Sequence, residues 1–462
     1  QAVNNGLDIE MGTYTNGLTT SGHFPYSSYY LADSFLQGIK DGSYNMDVLD
    51  DKARRILRLI FRTTMSANRP FGKFVSPEHS EAARKVAQEG IVLLKNNDQF
   101  FPIPEDKYKK IAVIGENASR SLVVGGGSSS LKVAYEVSPL QGLKDKYGDE
   151  HIVYSLGYAS GPSLYGREEP SNLDADSLRM AAIEVAKSAD IVLFIGGLNK
   201  NHYQDCEGGD RKSLDLPFGQ DKLIKDILQV NKNTAVIFLS GNAVSMPWED
   251  KVPAIIQGWY LGSEAGNALA DIVSGDVNPS GKLPFSFPKK LEDNGAHFYG
   301  ELSYPGDSIN QYYKEDILVG YRWFDTKKID PLFPFGYGLS YTTFDYSKPS
   351  IDKTIVQNNG MVKVSFNLTN SGGSDGAEIP QLYVSKAGSK VPRAVKELKA
   401  FKKVFLKAGE SNTVVLEVPV SSFAYYDETK NDWNVEPGIY TLLLGSSSRD
   451  IKGEVKIKVY KE

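Results

Sequence analysis

A single cysteine, Cys206, among 462 residues excludes an intrachain disulfide and any cysteine-rich metal cluster. Five histidines are scattered, and none falls in an HExxH or similar ligand spacing. There is no basic surplus. Lys plus Arg number 52 against 57 Asp plus Glu, a net charge of −5, whereas a nucleic-acid binder usually carries a positive excess. No apolar run approaches the roughly 18 residues that would span a bilayer. The chain opens on Gln1, with no charged and then apolar leader behind it. It reads as processed or as a piece of something longer.

What is present is an ordinary globular balance, 41% hydrophobic and 24% charged, which rules out a disordered chain, a collagen and a coiled coil. Aromatic residues make up 11%, with 26 Tyr and 21 Phe, a composition that suits carbohydrate handling without proving it. At roughly 100–200 residues per domain, the length predicts about three domains.

The hydrophobic period changes twice along the chain. Over 1–65 it is helical. Leu31, Phe35 and Ile39 share one face, and Leu49, Ala53, Ile56, Leu57, Ile60 and Phe61 form a second stripe. Two or three helices without a sheet make a poor domain, so these stripes are expected to stay exposed in this chain alone. A turn-rich connector, 66–75, leads to Ser76-Pro77, an N-cap followed by proline at the first helical position. The helix that follows is predicted to carry Ala83, Val86, Ala87, Gly90, Ile91 and Leu94 on one face, ending at Lys95–Asp98. From about 108 to 285, short continuous apolar runs at 111–115, 152–157, 191–197, 235–241 and 254–260 alternate with helical stripes. That pattern predicts a largely parallel sheet covered on both faces. Residues 286–345 are irregular and rich in Tyr, Pro and Gly. From about 346 the period becomes two, as in Val362, Val364, Phe366 and Leu368 and again in Val455, Ile457 and Val459. An antiparallel β-sandwich of fibronectin type III size follows.

Two segments invite chemistry. The strand at 111–115 is followed by GGGSSS (125–130), but the glycines lie ten residues late for a dinucleotide fingerprint. They suit close backbone approach to a ligand or neighbouring domain, or a plain surface turn. Asp205-Cys206-Glu207-Gly208-Gly209-Asp210-Arg211 lies beyond the carboxyl end of the strand 191–197, where α/β sheets place ligands. Three carboxylates in six residues should repel and raise one pKa. Arg211 could fix one of them, and the two glycines would let the loop move. A solvated acidic loop is the plainer reading of the same residues. Cys206 has only His202 nearby and reads as a bystander thiol. The four tryptophans, Trp248, Trp259, Trp323 and Trp433, read as core or domain-interface residues.

Longer motifs carry a resemblance. AAR-KVAQEGIVLLKNN (82–97), SPLQGL (138–143), CEGGDRKSLDLPFGQ (206–220), GNAVSMPW (241–248), GWYLGSEAGNALADIVSGDVNPSGKLPFSFP (258–288), VGYRWFD (319–325), PLFPFGYGLSYT (331–342) and ELKAFKKVFLKAGES (397–411) occur in order. With GLDIEM (6–11) near the start and WNVEPGIY (433–440) near the end, the whole chain resembles the carboxyl-terminal part of a glycoside hydrolase family 3 enzyme, the β-glucosidase and β-xylosidase family. The resemblance implies the tail of a (β/α) barrel with its linker (1–75), an α/β sandwich with a mostly parallel sheet (76–345) and a fibronectin type III-like β-sandwich (346–462). It implies an exo-acting retaining β-glycosidase, a β-glucosidase first and a β-xylosidase second, acting on β-linked oligosaccharides or glycosides. A truncated, non-catalytic carbohydrate-binding or structural chain is the alternative.

Glu207 matches the family's general acid/base, with Asp205 next in line. Ser128, beside Gly127, matches a loop residue that touches the innermost sugar. Asp210 and Arg211 match loop-supporting positions. The nucleophile, an Asp in an S-D-W-type motif, is expected upstream of GLDIEM, on the remaining barrel or on a second chain, and Asp8 matches a structural Asp instead. No metal, cofactor, nucleic acid or membrane span is implied. A homodimer stays open, an extracytoplasmic location is favoured over the cytoplasm, and Asn117 and Asn367 head glycosylation sequons.

Overall fold

The computed structural model describes residues 2–10, 29–164, 166–307 and 309–461. The chain forms two compact units, one ending at Ser76 and one beginning at Pro77.

The first unit holds helices α1 (Asp33–Lys40) and α2 (Met46–Arg62), and no strand among its described residues. Asn45 caps α2 by accepting from the Asp47 amide, which satisfies one of the helix's orphan donors. Lys52 is buried, and its Nζ donates to the carbonyls of Val3 at 2.7 Å and Leu7 at 2.6 Å. Asp8 lies beside Lys52 and Arg55. The two apolar stripes part company. Phe35 is covered, its ring edge-on to Tyr44 at 5.2 Å. The α2 stripe is open, with Leu57 at 49% and Phe61 at 58% exposure.

The second unit opens with helix α3 (Pro77–Gly90). Its predicted continuation to Leu94 is wrong. Residues Val92–Asn96 form strand β1, antiparallel to a later strand. Ile91 to Leu94 prolong the helical spacing, yet all four are buried, and a continuous buried run suits a sheet with two covered faces. Then come β2 (Ile111–Ile114), α4 (Pro139–Tyr147), β3 (Ile152–Ser155), α5 (Ala175–Lys187), β4 (Ile191–Gly197), α6 (Gln220–Val230), β5 (Thr234–Leu239), β6 (Ala254–Gln257) and α7 (Ala265–Ser274).

These strands form one sheet in the order β1-β6-β5-β4-β2-β3, parallel except for β1. Each apolar run splits between two cores by the strand's period of two. Ile111, Val113, Ile191, Leu193, Ile195 and Ile237 pack on one side with Leu143 of α4 and Leu269 of α7. Ala112, Ile114, Val192, Phe194, Val236 and Phe238 pack on the other with Ala182 of α5 and Leu223 of α6. Each large apolar side chain fully buried this way contributes roughly 1.5–3 kcal/mol. The outer edge of β1 is covered too, because the Leu339 amide donates to the Leu93 carbonyl at 2.8 Å.

From Phe344 to Lys461 the chain is β apart from one 3-10 turn, Val420–Phe423, in a sandwich whose longest strands are Met361–Asn370, Ser411–Pro419 and Ile451–Tyr460. Val362, Val364, Phe366 and Leu368 alternate inward and meet Val414, Leu416 and Leu442 in a third core. Trp248 and Trp323 are core residues, and Trp259 is half-buried with Nε1 donating to the Gly90 carbonyl. Trp433 departs from the core reading. It lies on the exposed hairpin strand Asp432–Asn434 at 68% exposure.

Candidate active site

The strand order puts a switch point at β2. The chain leaves β2 for β3 on one side and returns to β4 on the other. Ligand crevices in open α/β sheets form at such points, outside the carboxyl ends of the strands. Both segments singled out in the sequence emerge there, GGGSSS after β2 and the acidic hairpin after β4.

Each emergence is fixed. Gly115 ends β2 at φ +128°, and a Cβ there would stand 2.1 Å from the Ile195 carbonyl oxygen. Only glycine allows β4 so close. At the end of β4, the buried Gln220 amide clamps Gly197. Its Oε1 accepts from the Gly197 amide at 2.8 Å, and its Nε2 donates to the Gly197 carbonyl at 2.9 Å. Gln220 closes the quoted 206–220 motif, and this clamp is its local role.

The acidic loop doubles back in a tight turn, with Cys206 and Gly209 bridged across it. Glu207 takes the second position of the turn and Gly208 the third, at φ +76°, the left-handed conformation that a type II turn needs there. Glu207 therefore stands exposed at the tip. Its amide donates to the Gly126 carbonyl at 3.0 Å. Its Oε2 accepts from the Ser128 amide at 2.7 Å and from Ser128 Oγ at 2.5 Å. Three successive glycines, 125–127, all have positive φ. The close backbone approach they permit is to this hairpin. Gly127 itself lies between the two contacts.

The Ser128 hydroxyl and amide hold Glu207 below the usual carboxylate range. The expected upward push from clustered carboxylates does not prevail at Glu207, where the two Ser128 bonds pull the other way, and the neighbouring carboxylates have donors of their own. Asp205 accepts from the Gly241 amide at 2.6 Å, Asn242 Nδ2 at 2.6 Å and the Tyr260 hydroxyl at 2.8 Å. Asp210 accepts from the Tyr304 hydroxyl at 2.6 Å. Arg211 does not clamp a carboxylate either. Its Nη2 donates to the Ala243 carbonyl at 2.6 Å, and burial lowers its pKa. Burial and Asp205 push the Tyr260 hydroxyl well up, so it stays a donor. Cys206 Sγ lies 3.9 Å from His202 Nδ1.

A cleft of about 700 Å³ opens beside the hairpin, lined by Ser128, Glu207, Asp210, Tyr260, His297 and Tyr304 among others. Gly127 does not line it. Among the described residues, no three His, Cys, Asp or Glu side chains are grouped to hold a metal ion. Sequence reasoning passed over Asp205 as an anchor, Tyr260 and Tyr304. Tyr260 had a signal, since it closes the run 254–260 past the end of a parallel strand. Tyr304 had none, lying 94 residues from Asp210 in the irregular stretch. The sequon Asn117 is 1% exposed, and its Nδ2 donates to the Leu198 carbonyl at 2.8 Å. That excludes a glycan on it in the folded chain.

Comparison with known proteins matches residues 91–341 to the glycosyl hydrolase family 3 C-terminal domain and residues 378–448 to a fibronectin type III-like domain. The chain is 53% identical over 461 residues to beta-glucosidase BoGH3A of Bacteroides ovatus, covering 98% of this chain and 62% of that protein. It is 36% identical over 466 residues to an exo-alpha-(1->6)-L-arabinopyranosidase of Bifidobacterium breve, covering 99% of this chain and 57% of that protein. Among solved structures it is similar to DesR, a beta-glucosidase of Streptomyces venezuelae in complex with D-glucose. The TM-score is 0.86 at 28% identity, over 99% of this chain and 70% of that one. The chain thus spans about 60% of the length of these two curated relatives.

Proposed function

The chain belongs to glycoside hydrolase family 3, and from that premise we propose that it is the acid/base-bearing portion of an exo-acting retaining β-glycosidase of the β-glucosidase type. Glu207 is the general acid/base, and Ser128 is the first contact for sugar hydroxyls. The observation that carries the reading is the placement of Glu207. It is an exposed carboxylate at the tip of a two-residue turn, at the sheet's switch point, on the wall of a sugar-sized cleft.

The reaction needs a second carboxylate, assigned to the barrel portion that the longer relatives' length leaves room for. That carboxylate attacks the anomeric carbon. The glycosidic C–O bond breaks, its electron pair goes to the departing oxygen, and that oxygen takes the Glu207 proton. Glu207, now a carboxylate, removes a proton from water. The water oxygen attacks the anomeric carbon of the glycosyl-enzyme as that proton leaves, the bond from that carbon to the nucleophile breaks with its electron pair returning to the carboxylate, and the freed sugar leaves both groups as they began. Retention requires the two carboxyls roughly 5–5.5 Å apart. At that distance the ionised nucleophile raises the pKa of its neighbour, which opposes the downward pull of Ser128.

Glu207→Ala in the full-length protein is expected to slow hydrolysis of a disaccharide by roughly 100- to 10,000-fold, the usual worth of general acid catalysis. The first displacement on a nitrophenyl glycoside should survive better, since nitrophenolate leaves without a proton. Azide should restore part of the turnover by attacking the glycosyl-enzyme directly, giving a glycosyl azide. Equal losses on both substrates without azide rescue would remove the acid/base role from Glu207. Asp205 is then a poor substitute, because both its oxygens are already engaged.

A further inference from the structure

The hairpin that carries Glu207 is tied down at four places. Asp205 binds the segments that follow β5 and β6, Glu207 itself meets the glycine loop, and Arg211 reaches the Ala243 carbonyl. All three ties stay close to the sheet. The fourth leaves it. Asp210 accepts from the Tyr304 hydroxyl, and Tyr304 lies in the irregular stretch beyond the sheet. The Tyr304 ring packs on His297 at 4.9 Å, and both residues line the cleft. Gly208 and Gly209 separate Glu207 from Asp210 and offer no side chains to hold the returning arm. The Asp210 carboxylate is the first side-chain anchor after the tip.

We propose that Tyr304 is a positioning residue for the acid/base: its hydroxyl, through Asp210, sets where the Glu207 carboxyl stands against the leaving group. The catalytic consequence rests on the acid/base reading of Glu207. The mechanical part does not, and Cys206 makes it measurable. Cys206 closes the turn opposite Gly209 and is half-buried, so its thiol reports how firmly the hairpin is held.

The test uses full-length Tyr304→Phe, Asp210→Asn and the double variant. Two quantities are read in each: the ratio of kcat/KM for a disaccharide to that for the nitrophenyl glycoside, and the rate of Cys206 alkylation by iodoacetamide, followed on the Cys206 peptide by mass spectrometry. Tyr304→Phe is expected to lower the disaccharide rate about tenfold, the scale of one hydrogen bond to a charged acceptor, with a smaller loss on the nitrophenyl glycoside. Alkylation should speed up. Asp210→Asn should weaken the same contact, and the double variant should be no worse than the more damaging single one, because one bond is lost once. Unchanged alkylation, equal losses on the two substrates or additive losses in the double variant would overturn the proposal. If Glu207→Ala instead overturns the acid/base reading, the alkylation rates alone decide whether Tyr304 holds the hairpin.

Discussion

At the scale of single residues, the site is a set of carboxylates with different tasks assigned by their donors. Asp205 accepts from three donors, Asp210 is held by one phenol, and the Glu207 carboxylate, among the described residues, is gripped by Ser128 alone. The sign of that grip can be tested. Ser128 lowers the Glu207 pKa, and in the proposed acid role Glu207 loses its catalytic proton as pH rises through that pKa. Ser128→Ala removes the hydroxyl, the larger of the two causes, so the alkaline limb of kcat/KM on a disaccharide should move to higher pH. An alkaline limb that stays put would mean the contact is already broken in the complete site. The motif around Glu207 was legible in the sequence because the residues that carry it are contiguous. The anchors were not, since Gly241, Tyr260 and Tyr304 lie 36, 55 and 94 residues from the carboxylates they bind.

At the scale of elements, the parallel strands could be read from their continuous apolar runs, and the sandwich from its period of two. Strand β1 could not. Its residues extend the apolar spacing of α3 without a break, and only pairing with β6 reveals it as a strand. The end of β2 offers a sharper test. Gly115→Ala combines a positive φ with a Cβ 2.1 Å from backbone, and should cost about 2 kcal/mol or more. Gly219, at φ +72° with open space around it, should accept Asn at little cost, since Asn tolerates the left-handed region. The difference in urea midpoints between the two variants reports the clash with Ile195 together with the glycine-only backbone at Gly115. Similar midpoints would mean that β2 and β4 move apart to make room.

At the scale of the whole molecule, the first unit ends, just before the boundary at Ser76, in a turn-rich stretch whose Phe71 and Phe74 are 85% and 97% exposed. Brief chymotrypsin treatment of the 462-residue chain should cut there first, and intact mass should show a product starting at Gly72 or Val75. Earlier cleavage within the sheet or the sandwich would contradict the compactness of the second unit. The pairing of β1 with β6 has a further consequence, in the order of synthesis. Asn96 emerges from the ribosome about 160 residues before its partner Ala254, a wait of roughly 8–30 s at about 5–20 residues per second. Throughout that interval Ile91–Leu94, an apolar segment made for burial, has no sheet to join. Nascent chains halted before Gln257 should therefore be the ones that chaperones hold longest, and release should follow the completion of β6.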